Sequence, residues 1–356
     1  MRTKLARSRP VQAAAVLLLV GVAVSLVWWQ GPDWSLVYHA FDFVNWVWIF
    51  FAMALNLGSV LVRALAWQLT IVQALDPPDP PFNRTFSAFA VGLLGNAVLP
   101  GRIGELARVA VLRRRLSTHR QGTSAALVGT VFAHRLFDLF PALLLVAYVL
   151  ATAKIPTWAV TSLLLVSVLG TGLFAAAMIS ARRRHRPALD GAKPVQRLLA
   201  MARQGLAVMK APAPAAGAIL LQCLGWFLQL VAVYVAMRAF DIHAPLPAAG
   251  LVLLLMNVAT IFPLWPGNIG LLQAAVALPL VQYGVAYSTG FAYGLVLQVI
   301  EMSVGVGVGL VFLTREGLSF ATLREMPETV ELPDETGEQG EEREHEAPRA
   351  RAGVSG

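Results

Sequence analysis

A seven-residue motif occurs twice in this chain, each time inside a long apolar stretch. It reads PGRIGEL at residues 100–106 and PGNIGLL at residues 266–272. Proline and glycine interrupt helices, and lipid cannot satisfy the backbone N–H and C=O groups that an interruption exposes. Such breaks persist in a membrane only where protein or water surrounds them. Two matched breaks in two halves of a membrane chain predict a transport site between inverted repeats.

The composition places the chain in a membrane. Of its 356 residues, 57% are hydrophobic and 13% are charged. Several apolar runs approach or exceed the roughly 20 residues that cross a bilayer. The run 11–29 follows the basic segment 1–10 and ends in two tryptophans rather than at a cleavage site, so we expect an uncleaved first helix. The single cysteine, Cys223, excludes an intrachain disulfide.

The charges of the loops predict the topology. The net charge of +8 divides into −6 for the acidic tail at 315–356, which we expect to be disordered, and +14 for the rest. The basic residues lie in loops between apolar runs, so topology explains them before nucleic-acid binding does. With these loops cytoplasmic, six spans alternate across a bacterial cytoplasmic membrane and leave both termini inside. The predicted spans are 11–29, 42–62, 124–150, 157–180, 215–238 and 289–313.

Two further apolar segments are too short to cross as single helices. Residues 86–99 and 251–264 each form about 14 residues of helix, or roughly 21 Å, against a hydrocarbon core of about 30 Å. A break and a second short apolar run follow each, which predicts re-entrant hairpins at about 86–115 and 248–282. Cytoplasmic loops flank the first hairpin and external loops the second, so they enter from opposite faces. The predicted fold of residues 11–314 is therefore an all-α polytopic membrane protein with an inverted repeat.

The connection at 181–212 has apolar residues at helical spacing and basic residues on the other faces. An interfacial amphipathic helix on the cytoplasmic surface fits this pattern. A polar connector with incidental spacing fits it equally well.

The residues at the first break favour an anion site. A half-helix begins after each break, and its free N–H groups and positive dipole end attract negative charge. Arg102 and Arg108 add positive charge, and Glu105 is spaced to pair with Arg108 on one helix face. The alternative is that the arginines only orient the protein. That alternative is weaker for Arg102 and Glu105, because a carboxylate contributes little to topology and is costly in hydrocarbon.

The breaks themselves have a recognisable set of residues. We expect the asparagine that precedes each Pro–Gly pair to cap freed backbone groups. The set comprises Asn96, Pro100, Gly101 and Gly104 at the first break, and Asn257, Pro263, Pro266, Gly267, Asn268 and Gly270 at the second.

A second polar set lies within the span that begins near residue 124. His134, Arg135 and Asp138 are spaced to share one helix face. Charges inside a span face the bundle interior or a wet cavity, so their default interpretation is functional. The alternative is a purely structural pair of Arg135 with Asp138.

Two more charged residues are candidates for coupling. Arg63 lies near the end of the second predicted span with Trp67, where a snorkelling anchor beside an aromatic belt residue is the stronger alternative. Glu301, with Gln298 three residues before it, is a candidate proton or cation partner, or a counter-charge for an arginine. The chain has no zinc-protease motif and no phosphate-binding Gly–Lys–Ser/Thr loop. We therefore predict no catalytic residue, metal or cofactor.

The ordered set of motifs resembles the transmembrane, flippase-like domain of lysylphosphatidylglycerol synthases and its stand-alone relatives. The resemblance covers about residues 10–314 and implies lipid translocation without the soluble synthase domain. The family usually has glutamate at the positions of His134 and Gln273, and Gln273 is a third candidate for coupling. These departures argue against a cationic aminoacyl head group. The resemblance rests on Arg63, Trp67, Asn96, Pro100, Arg102, Gly104, Glu105, Arg108, Arg135, Asp138 and the segment 263–270.

The leading hypothesis is a translocator for the anionic head group of a phospholipid or a polyprenyl-phosphate-linked carrier. Its expected partners are membrane lipids and not nucleic acid. A second copy of the chain and a lipid-synthesis enzyme are further possible partners. The alternatives are an intramembrane lipid-modifying transferase, an accessory subunit of one, and a scaffold that transports nothing.

Overall fold

The computed structural model describes residues 21, 32–75, 77, 79–98, 104–116, 123–182, 212–261, 268–319 and 322. All regular structure in these ranges is helical, which confirms the all-α prediction. A short 3-10 turn lies at Val281–Tyr283, and a π-helical segment lies at Ser303–Val308. The helices are α1 (Trp34–His39), α2 (Trp46–Ala74), α3 (Phe82–Val98), α4 (Gly104–Arg115), α5 (Thr123–Phe137), α6 (Leu139–Thr152), α7 (Thr157–Arg182), α8 (Pro212–Ala239), α9 (Leu246–Ile261), α10 (Leu271–Leu280), α11 (Tyr287–Met302) and α12 (Gly309–Arg315).

Four helical stretches within these ranges are long and apolar enough to cross a bilayer. They are Trp46–Ala74, Thr123–Thr152, Ala213–Ala239 and Tyr287–Arg315. Shorter apolar helices lie at Thr157–Gly172, Leu246–Ile261 and Leu271–Tyr283. Apart from Gly21, the predicted span 11–29 lies outside the described residues, as do the connection at 183–211 and most of the acidic tail.

The second predicted span needs correction, whereas the third corresponds to the candidate span Thr123–Thr152. Helix α2 begins after Asn45, whose side chain accepts a hydrogen bond from the Val47 amide at 3.1 Å, and it continues to Ala74 rather than ending at residue 62. The third span is interrupted at Asp138, between α5 and α6. Pro141 explains the interruption, because it has no N–H to donate to the carbonyl four residues earlier.

Helices α3 and α4 form an antiparallel pair. Arg84 at the start of α3 donates to the Arg115 carbonyl at the end of α4, over 3.0 Å. At the opposite end, Gly104 lies against Gly92 and Asn96. A Cβ atom on Gly104 would overlap the Gly92 carbonyl oxygen, so only glycine permits this close approach. Residues 99–103, which include Pro100, Gly101 and Arg102, lie outside the described part of the chain.

The second pair, α9 and α10, packs together in the other half. Pro263, Pro266 and Gly267 fall among residues 262–267, which lie outside the described ranges. Where description resumes, Asn268 has a positive φ of 46° and its Nδ2 donates to the Ala259 carbonyl at 2.9 Å. The pair therefore has its own cap at the end of α9.

Packing between the halves is reciprocal. Helix α2 lies along α8, and the first pair contacts the π-helical segment and α12 of the second half. The second pair contacts α6 of the first half, while α4 packs on α5 and α10 on α11. The inverted repeat itself stays a prediction. The side from which each pair enters the membrane, and the location of the termini, stay predictions.

Candidate functional site

Charged side chains from three separate helical stretches meet inside the bundle. They come from α2, from α4 and from the α5–α6 stretch, where Asp138 lies at the middle of the candidate span Thr123–Thr152. Charges at such a depth are costly unless they pair or line a polar cavity. The members of this charged cluster are Arg63, Glu105, Arg108, His134, Arg135 and Asp138.

Glu105 contacts two arginines, Arg108 on its own helix α4 and Arg135 on α5. Its carboxylate lies 2.6 Å from Nη2 of Arg108, and it also accepts a hydrogen bond from Nη2 of Arg135. Arg135 in turn contacts Asp138, with Nη1 at 3.2 Å from Oδ2. Both predicted pairs with a spacing of three residues therefore form, and Arg135 bridges them.

Asp138 is the acceptor for donors from three helices. Its Oδ1 receives hydrogen bonds from Nη2 of Arg63 at 3.1 Å, Nε2 of Gln222 at 2.8 Å and Nε1 of Trp226 at 3.1 Å. The side chain is buried. Asp138 thereby joins α2 and α8 to the α5–α6 stretch, which is more than the structural pair with Arg135 that the sequence left open.

Arg63 and Trp67 are not an interfacial anchor, and that interpretation is wrong. Trp67 is fully buried, and its Nε1 donates to the hydroxyl of Thr130 at 3.1 Å. The guanidinium of Arg108 lies 4.7 Å from the centre of the Trp67 ring, which is a cation–π contact. The physical reason is the length of α2, which continues to Ala74 and so places both residues inside the bundle.

A cavity of about 80 Å³ opens beside the charged cluster. This exceeds the roughly 10–15 Å³ that one water molecule needs. Besides apolar groups, its lining includes Asn96, Arg63, Glu105, Arg108, His134 and Arg135.

Several buried polar atoms around this cavity have no hydrogen-bond partner. They are Nε and Nη2 of Arg108, Oε2 of Glu105, Nε of Arg63, Nδ1 of His134 and Oδ1 of Asn96. The contact of Arg108 with Glu105 is thus an ion pair without the geometry of a hydrogen bond. Unsatisfied buried donors are costly, and guanidinium donors match the oxygens of a phosphate. The cavity is chemically suited to an anion.

The asparagines at the breaks do not act as predicted. Oδ1 of Asn96 lacks a partner, and Asn257 donates to the Leu253 carbonyl of its own helix at 2.8 Å. Asn268 caps α9 instead, because its left-handed backbone turns the amide back toward that helix. Gln273, the third residue of α10, caps the start of that helix, since its Oε1 accepts from the Gly270 amide at 2.6 Å.

The remaining candidates lie apart from the charged cluster. Glu301 accepts a hydrogen bond from Gln229 at 3.3 Å and forms no ion pair with an arginine in the described ranges. Gln273 donates to Gln298 at 2.6 Å. Across the described residues, no group of three or more His, Cys, Asp and Glu is placed to hold a metal ion.

Sequence reasoning missed Gln222 and Trp226. They are four residues apart on one face of α8, and both donate to Asp138. A glutamine inside an apolar span is itself a signal, because an unpaired amide in hydrocarbon is unfavourable. The pattern did not indicate which of the distant carboxylates would be the acceptor.

The fold and the charged cluster define an integral membrane protein with a polar site inside an all-α bundle. The chain belongs to a family described as the lysylphosphatidylglycerol synthase TM region, whose profile matches residues 13–309. Membership in this family gives the protein a lipid-related role in the membrane. No curated protein and no solved structure matches the chain significantly.

Proposed function

We propose that the protein binds the anionic head group of a membrane lipid in this cavity and moves it across the bilayer. The observation that carries the proposal is Arg108. Its side chain is only 4% exposed, it lines the cavity, and its Nε has no hydrogen-bond acceptor, while its Nη2 forms only the ion pair with Glu105. A phosphate oxygen would supply the missing acceptor.

The charge balance supports an anion over a cation. Three arginines face two carboxylates in the charged cluster, so it is net positive even with His134 neutral. A phosphodiester brings the negative charge that this balance lacks. A cationic head group would add to the excess instead. Phospholipids and polyprenyl-phosphate carriers share this phosphate chemistry.

The exposure of the arginines suggests an order of contact. The Arg135 side chain is 42% exposed, whereas that of Arg108 is 4% exposed. A head group that enters from the open side meets Arg135 first and reaches Arg108 at the closed end. The acyl or polyprenyl chains stay in the surrounding lipid.

Reconstitution into liposomes tests the proposal. The purified full-length protein is incorporated with fluorescent phosphatidylglycerol, phosphatidic acid or a polyprenyl phosphate, and leaflet exposure is followed against protein-free vesicles. Phosphatidylcholine serves as the zwitterionic comparison. We expect faster transbilayer movement of at least one anionic lipid. Rates equal to those of protein-free vesicles for the whole panel would exclude the function.

Replacing Arg108 with glutamine is expected to slow this transport roughly 10- to 100-fold. A hydrogen bond to a charged group contributes about 1.5–3 kcal/mol, which corresponds to that range. The matched control is Arg84→Gln, on the other helix of the same pair, where the guanidinium is exposed and donates to a backbone carbonyl. Thermal unfolding of both variants monitors folding. Unchanged transport by folded Arg108→Gln contradicts the assignment.

The transferase alternative makes a different prediction for the cell. Mass spectrometry of membrane lipids after gene deletion would show a missing lipid species if the protein synthesises one. An unchanged inventory with altered leaflet exposure supports transport.

A further inference from the structure

The second half of the bundle repeats the geometry of the charged cluster. Arg63 is the eighteenth residue of α2 and Gln229 is the eighteenth residue of α8. Arg63 donates to Asp138 at the middle of one span, and Gln229 donates to Glu301 at the middle of another. The two contacts occupy equivalent places in the reciprocal packing of the halves.

A second contact is repeated in the same way. Arg135, three residues before Asp138, binds Glu105 of the first helix pair. Gln298, three residues before Glu301, binds Gln273 of the second helix pair at 2.6 Å. The glutamines Gln229, Gln298 and Gln273 of the second half thus occupy the places that Arg63, Arg135 and Glu105 occupy in the first half. Glu301 is the one ionisable member among Gln229, Gln273, Gln298 and Glu301.

The surroundings of Glu301 leave its negative charge weakly compensated. It is the central residue of the 29-residue span Tyr287–Arg315, and its hydrogen bond from Gln229 is 3.3 Å long. Helices α8 and α10 contribute only the amides of Gln229 and Gln273 to this repeated set. Arg63 of α2 is a positive charge that stabilises ionised Glu301. Ionising a carboxylate inside an apolar span is costly, so the charge of Glu301 depends on the positive charge available nearby.

Arg63 connects Glu301 to the cavity. Its Nη2 binds Asp138, and its side chain also lines the cavity. The same positive charge therefore acts on Asp138, on Glu301 and on whatever occupies the cavity. An anion that enters the cavity offsets the field of Arg63 at Glu301. The ionised form of Glu301 is then less stabilised, so a larger fraction of the Glu301 carboxyl groups is protonated.

We propose that Glu301 is a proton-binding site coupled to the cavity, so that binding of an anionic head group draws one proton from water onto its carboxylate. This inference rests on the proposed function. No bond of the lipid changes, and the proton's charge compensates that of the bound phosphodiester. Because coupling between binding sites is reciprocal, lower pH strengthens anion binding by the same factor.

The neighbouring backbone gives this coupling a structural route. The π-helical segment Ser303–Val308 begins two residues after Glu301, and such segments are frequent at functional sites. At its end, Gly309 packs closely on α3, where an added Cβ would lie 2.5 Å from Cβ of Leu94 and 2.9 Å from the Ala90 carbonyl oxygen. Helix α3 also lines the cavity, through residues that include Gly92 and Asn96.

Calorimetric titration of the full-length protein in detergent tests the coupling. The probe is short-chain phosphatidylglycerol, whose phosphodiester keeps its single charge at both about pH 5 and about pH 8. Two buffers with different ionisation enthalpies count the protons taken up. We expect wild-type binding at least about fivefold tighter at the lower pH, with net proton uptake at the higher pH. Glu301→Gln should bind equally at both pH values, near the wild-type affinity at low pH, without this uptake.

Two further variants separate the sources of a pH effect. Asp42→Asn removes an exposed carboxylate that pairs with His39, so it should keep the wild-type pH dependence. His134→Gln removes the titratable imidazole that lines the cavity and should also keep it. A pH dependence that survives in Glu301→Gln, or disappears in His134→Gln, overturns the assignment to Glu301. Binding that does not vary with pH in the wild type overturns the coupling alone, whereas no binding at either pH also overturns the proposed function.

Discussion

Replacing Asp138 with alanine is expected to lower the free energy of unfolding by about 3–5 kcal/mol and to abolish lipid transport. Four donors from Arg63, Arg135, Gln222 and Trp226 would lose their common acceptor, and two of them are positively charged. An uncompensated charge inside the bundle is the most costly outcome that a single substitution in this cluster can produce. Thermal unfolding in detergent, followed by fluorescence-detected gel filtration, measures the stability change.

Two further variants show how much of the stability loss in Asp138→Ala comes from the charge and the buried position of Asp138. Asp138→Asn keeps an acceptor oxygen but loses the charge, so its stability should fall between those of the wild type and Asp138→Ala. Asp42→Ala removes an exposed carboxylate that pairs with His39, and surface pairs contribute about 1 kcal/mol or less. A melting temperature for Asp138→Ala that equals that of Asp42→Ala would rule out a central role for Asp138.

The second large effect is expected from Gly104→Ala. The new methyl group would overlap the Gly92 carbonyl oxygen and lie 2.5 Å from the Asn96 amide nitrogen. Backbone atoms cannot yield as a flexible side chain can, so α3 and α4 must separate. Overpacking of this kind costs about 1–3 kcal/mol. The displacement also moves Glu105 and Arg108 on α4, so we expect transport to fall at least about tenfold.

Gly172→Ala in α7 is the matched control, because no atom of the described residues lies within 4 Å of the added methyl group. Alanine is the better helix former, so this variant should be as stable as the wild type or slightly more so. Liposome transport assays on both variants provide the comparison. Equal rates for Gly104→Ala and Gly172→Ala would show that the close approach of α3 and α4 is not required.

Local features of this protein were predictable from sequence because they depend on spacing along a helix. The apolar runs predicted an all-α membrane fold, and the Pro–Gly motifs marked the ends of helices at Val98 and Ile261. The pairing of Glu105 with Arg108 follows from their separation of three residues.

The contacts between distant segments were not predictable in the same way. Arg63 and Asp138 are 75 residues apart, and Trp226 is 88 residues from Asp138. Polar residues at the end of an apolar run normally mark a membrane interface, which is why α2 was predicted to end before Arg63. The bundle overrides that rule by giving Arg63 an acceptor in its interior. Only the packing of α2 against α5 and α8 reveals this.

The position of Trp67 beneath Arg108 has a practical consequence. The indole is fully buried, and the guanidinium charge lies 4.7 Å from its ring centre. The interaction between a cation and an aromatic ring is electrostatic, so an anion that neutralises Arg108 changes the field across the indole. Fluorescence emission from Trp67 should therefore shift when the cavity fills. In a variant whose other tryptophans are replaced by phenylalanine, the protein would serve as its own optical sensor of head-group occupancy.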